Sequence, residues 1–79
     1  MGDDIMSLPE KLAREIARVT AIRAQWDEVA RMVPASASRG LAPGMALMDA
    51  ELEAAKRAAG SADIEGQIRA VRNLEGYTQ

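Results

Sequence analysis

"VPASASRGLAPG", residues 33–44, is the stretch on which the reading of this chain turns. It gathers Pro34, Pro43, Ser36, Ser38, Gly40 and Gly44 between two segments of strong helical periodicity. Proline and glycine are the strongest local breakers of helix, and serine competes with the helical backbone for its hydrogen bonds. Read on those terms, residues 34–44 form a loop, longer than the roughly 2–8 residues usual between packed helices. A first helix lies on one side of it and a return arm on the other.

On the N-terminal side the start signal is "SLPE": Ser7 stands three residues before Glu10, the spacing of a capping box. Pro9 falls within the first turn, where a missing amide hydrogen costs nothing. Large apolar residues then recur at Leu12, Ile16, Val19, Ile22, Trp26, Val29 and Val33, a single helical stripe. The pairs Glu10–Arg14, Lys11–Glu15, Arg23–Asp27 and Asp27–Arg31 fit the same register. Pro34 closes the pattern, because the residue before a proline avoids the α region. The spacing predicts a first helix over residues 8–33.

Beyond Pro43 the pattern resumes. Met45, Met48, Leu52, Ala55 and Ala59 step by three and four, which predicts a second helix over 45–59. Gly60 is a natural stop and Ser61 a natural cap. Ile64, Ile68, Val71 and Leu74 then mark a third segment over 62–75, with Gly66 inside it and Gly76 at its end. The expected fold is therefore all-α: a helical hairpin with one long helix and a return arm broken or continuous at Gly60–Ser61. A compact three-helix bundle is the competing packing. Residues 1–6 and 76–79 are expected to be flexible ends.

Composition narrows the function classes. The chain has 79 residues, no cysteine and no histidine, so disulfides and the usual zinc, haem or iron–sulfur ligands are excluded. No cofactor and no metal is expected. Net charge is −2 with both signs mixed, a poor match to nucleic acid or an anionic membrane. No apolar run approaches the roughly 18 residues of a membrane span. Asp3 and Asp4 stand where a signal peptide would carry basic residues, which points to the cytoplasm. The serines lack an activating histidine, and the carboxylates at Asp49, Glu51, Glu53, Asp63 and Glu65 read as solvated helix faces. An enzyme is not expected.

A domain this small buries little of its surface, and self-association is the remaining support. The stripe residues Leu12, Ile16, Val19, Ile22 and Val29 are the candidates for it, most simply in a two-fold helical bundle. If the loop reading holds, Trp26, Met32, Met45 and Met48 gather beside it as a candidate partner-binding cluster. Methionine adapts to varied apolar partners, and tryptophan is enriched in binding hot spots. The favoured function is a non-enzymatic protein–protein interaction module: an adaptor, an assembly component or an inhibitor, phage-encoded inhibitors being one such class. The alternatives are a dimeric nucleic-acid-associated regulator using Arg14 and Arg18, and a structural subunit of a larger assembly.

Overall fold

A computed structural model of the chain describes residues 7–78. Three helices follow one another: α1 (Leu8–Met32), α2 (Ala35–Ala59) and α3 (Ile64–Glu75). The described residues contain no strand, and the all-α expectation holds.

The long α1 starts where the sequence places it. The Ser7 hydroxyl oxygen accepts a hydrogen bond from the Glu10 amide at 3.3 Å and donates its proton to the Glu10 carboxylate at 3.0 Å. Its end also agrees to within one residue, since Val33 is already extended ahead of Pro34.

The residues after Pro34 correct the loop reading. Val33 and Pro34 alone reverse the chain, and α2 begins at Ala35. Residues 35–44 are helical, Gly40, Pro43 and Gly44 included. Three features reconcile the breakers with a helix. Pro34 stands at the N-cap, where its fixed φ suits helix entry. Pro43 is exposed, so the carbonyl of Arg39, which loses its usual amide partner, lies on the wet side. Gly44 meets the indole of Trp26: a β-carbon there would lie 3.2 Å from Cζ3 and 3.7 Å from Cη2. This glycine serves close packing, not a turn, and no described residue adopts a positive φ.

The return arm does break at Gly60–Ser61. The Gly60 amide donates to the carbonyls of Lys56 and Arg57, and the Ser61 amide to that of Ala58. The buried Gln67 side chain reaches back from α3 and donates to the carbonyls of Ala58 (3.2 Å) and Ser61 (2.9 Å). It thereby gives the Ala58 carbonyl a second donor beside the Ser61 amide and supplies one to the Ser61 carbonyl in the turn. α3 starts at Ile64, two residues later than the spacing predicts, with Asp63 as N-cap. The Asp63 carboxylate folds over Gly66, where a β-carbon would come within 2.7 Å of its oxygen. Space for that carboxylate explains a glycine inside the helix.

All three helices pack on one another. The core is Leu12, Val19 and Ile22 from α1, Met48, Leu52 and Ala55 from α2, and Ala70, Val71 and Leu74 from α3. These residues come from the first fifteen residues of α1 and the second half of α2, because α3 has 12 residues against 25 in each of the others. At 1.5 Å per residue, α3 spans about 18 Å of a hairpin roughly twice as long. The molecule divides accordingly. Residues 8–22 and 48–78 form a three-helix base, and residues 23–47 form a two-helix arm standing above it.

Candidate interaction surface

The base is closed by polar contacts at the end of α3. The Arg18 guanidinium donates to the carbonyls of Leu74 (2.8 Å) and Tyr77 (2.7 Å), while Glu15 holds it from the other side at 2.8 Å. A cation at a helix C-terminus meets the negative end of the dipole as well as open carbonyls. The Tyr77 hydroxyl donates to the Glu51 carboxylate on α2. Burial, with Glu51 second, pushes the Tyr77 hydroxyl up to about 12. Lys11 and Glu75 pair at 3.5 Å. Residues 76–78, expected to be a loose end, are thus anchored through Tyr77; residues 1–6 and Gln79 lie outside the described residues.

Of the two arginines named for the nucleic-acid alternative, Arg18 is engaged by these contacts within the chain and Arg14 is exposed.

The arm differs in kind. Two inter-residue contacts set the level of its helices. Trp26 lies against Gly44, and Arg23 binds Asp49 at 2.8 Å, a pairing that raises the arginine above its ordinary value. With those levels fixed, Met48 lies beside Ile22, Met45 near Gln25 and Leu41 near Val29. Met32 stands roughly 10–15 Å higher along the axis at 1.5 Å per residue. The cluster expected of Trp26, Met32, Met45 and Met48 therefore does not form. It required an eleven-residue loop, and the connection has two residues. Met48 is fully buried in the core, Trp26 and Met45 are half-buried between the helices, and Met32 is 75% exposed.

The candidate self-association set separates in the same way. Leu12, Val19 and Ile22 are buried within the single chain, and Ile16 is half-buried against the core. Val29 remains, 45% exposed. The expectation of a surplus stripe assumed one helix opposite α1. Two helices lie there along the base, and they cover it.

What stays uncovered is the continuation of the rows on which α3 packs. On α1, Arg18, Gln25 and Met32 repeat at seven, as do Ile22 and Val29. On α2, Ala58, Ala54 and Glu51 face α3 or its end, and Leu47, Gly44 and Gly40 continue that row toward the tip. Residues seven apart share a helix face. Val29, Met32 and Leu47, exposed by 45%, 75% and 57%, thus line one groove directly above the end of α3. Gly40 gives it a low α2 side, while the place beside Gly44 is filled by the Trp26 indole.

Leu47 carries the part of this surface that the sequence reading missed. A signal for it existed. Residues 32–48 hold a single charge, Arg39, in a chain with ten basic and twelve acidic residues. Solvated helix faces are normally studded with charge, and a continuous uncharged face marks a contact surface.

No protein-family model matches the chain, and no curated protein or solved structure matches it. Among the described residues, no group of acidic side chains is placed to hold a metal ion, and no helix is long and apolar enough to cross a membrane. The surface depressions are open grooves, one between α2 and α3 lined by Ala54, Ala58 and Gly66 with Arg57 and Arg69 at its rim.

Proposed function

We propose that this chain is a small non-enzymatic protein-interaction module that acts through its arm, by packing helices of another polypeptide onto the face of Val29, Met32 and Leu47. One observation carries the reading. The rows that bury α3 in the base continue upward past Gln25 without a charge, and among the described residues Val29, Met32 and Leu47 stay exposed. The mechanism is helix-in-groove recognition: apolar contact supplies affinity, and Asp27, Glu28 and Arg31 at the edge of α1 orient the partner. The reading requires neither cofactor nor metal.

A photo-crosslinking residue placed at Leu47 tests it in cells, with Glu53 on the exposed face of the base as the control position. Discrete protein adducts from position 47, lost on adding Val29→Glu, are the expected result. Equal labelling from both positions, or adducts indifferent to Val29→Glu, would refute the reading.

A further inference from the structure

We infer that the polypeptide covering the arm is a second copy of this chain, with two arms laid face to face and antiparallel as a four-helix bundle. The inference rests on the reading of the arm as a docking surface and gives that surface its occupant.

Charge is the first argument. Residues 23–47 carry two acids, Asp27 and Glu28, and three bases, Arg23, Arg31 and Arg39; Arg23 is bound to Asp49 of the base, so the charges left to the arm's surface balance. Arm meets arm without like-charge repulsion. Antiparallel packing also keeps the two copies of α3 at opposite ends, whereas parallel packing would set them side by side on the same face. The groove itself offers no charge with which to select a strongly acidic or basic partner.

Length is the second argument. The groove runs from the end of α3, near Ile22, to the turn at Pro34, and is as long as the arm. An inverted second arm fills it from the turn down to the end of α3. Each copy closes the groove of the other, so the symmetry is satisfied at two subunits. Gly40, with open space where a β-carbon would stand, gives the partner's large side chains a shallow place to enter.

Area is the third. Two helices side by side over about 17 Å present on the order of 600 Å² per copy, or about 1,200 Å² for the pair, at the lower edge of specific interfaces. The dimer is thus expected to be concentration-dependent and to dissociate on dilution.

The competing apolar face is on α3, where Ile64 and Ile68 are 61% and 42% exposed. Glu65, Arg69 and Arg72 surround Ile68, and the Ile64–Ile68 row has no small-residue groove beside it.

Sedimentation equilibrium of the full chain, from low to several hundred micromolar, reads the outcome, with hydrogen exchange on the same samples. The wild type is expected to dimerise equally at low and high salt. Leu47→Glu should weaken the dimer about tenfold or more, and Ile68→Glu should leave it unchanged. The native chain has no cysteine, so Val29→Cys, near the two-fold axis, should form a disulfide-linked dimer faster than Met32→Cys. A dimer broken by Ile68→Glu and not by Leu47→Glu would overturn the inference, as would equally fast linkage through both cysteines, which marks parallel arms. A monomer with protected arm amides would sink the second copy as occupant while leaving a different protein partner in place. A monomer whose arm amides exchange freely would remove the docking surface too.

Discussion

The base and the arm are built from the same two long helices, yet different forces hold them. In the base, every fully buried large side chain (Leu12, Val19, Met48, Leu74) lies between three helices, and Arg18, Gln67 and Tyr77 tie α3 to its neighbours. In the arm no residue is buried; Trp26, Leu41 and Met45 are half-buried. α2 begins there without a side-chain cap, and Gly40, Pro43 and Gly44 weaken it further. Helical stability in proteins comes mostly from tertiary packing of one face. By that measure the base is self-sufficient and the arm is supported on one side only. The arm is the natural unit of local opening, and its lack of a third helix is the same fact as its open surface.

That contrast can be broken most forcefully from the base. Leu74→Ala removes a fully buried side chain at the meeting of three helices and is expected to destabilise the whole chain by about 2–5 kcal/mol in equilibrium urea unfolding. A loss below about 1 kcal/mol would mean that α3 is not integral to the core.

Pro43→Ala should act in the opposite sense and only in the arm. It restores a helical amide at an exposed site, where proline is about 3 kcal/mol worse than alanine. Slower hydrogen exchange over residues 35–47, with α3 unchanged, is the outcome to look for. Uniform slowing everywhere would mean that arm and base open together.

Arg18→Ala probes the link between α1 and the end of α3. It leaves the carbonyls of Leu74 and Tyr77 without their charged donor, and a loss of about 1.5–3 kcal/mol is expected. Thermal unfolding with Arg14→Ala as the exposed control separates this from a general effect of charge.

The smallest expected effect is alkaline. The Tyr77 hydroxyl is raised to about 12 in the folded chain, against about 10 for the unfolded residue. The folded state then holds the proton more tightly, so its contribution is complete below pH 10 and fades as pH climbs toward 12. A loss of less than about 2 kcal/mol is expected for this half-buried group. Tyr77→Phe should abolish that part of the pH dependence.

How much of this was legible in the sequence follows the same division. The α1 boundaries and its Ser7–Glu10 cap are local signals, and the structure repeats them within a residue, while at Gly60–Ser61, where a broken and a continuous arm both fit the sequence, the arm breaks. Residues 34–44 were not legible, because Pro43 and Gly44 carry breaker chemistry whatever their context. What keeps them helical is a contact with Trp26, eighteen residues earlier in the chain, and an exposed position for the proline ring. The helix formers Ala35, Ala37, Leu41 and Ala42 were present but outvoted. From that single misreading came the misplaced methionine cluster. Of the exposed apolar residues of the arm, Val29 and Met32 stand out in the sequence as candidates and Leu47 does not, although the uncharged run that contains it is visible there.

The most direct test of the whole account is native-state hydrogen exchange at two protein concentrations about a hundredfold apart, spanning the micromolar dimerisation expected of so small an interface. The account predicts that amides of residues 25–47 gain protection as concentration rises, while those of the base and α3 do not. Protection that ignores concentration, or that rises first around Ile64 and Ile68, would contradict it.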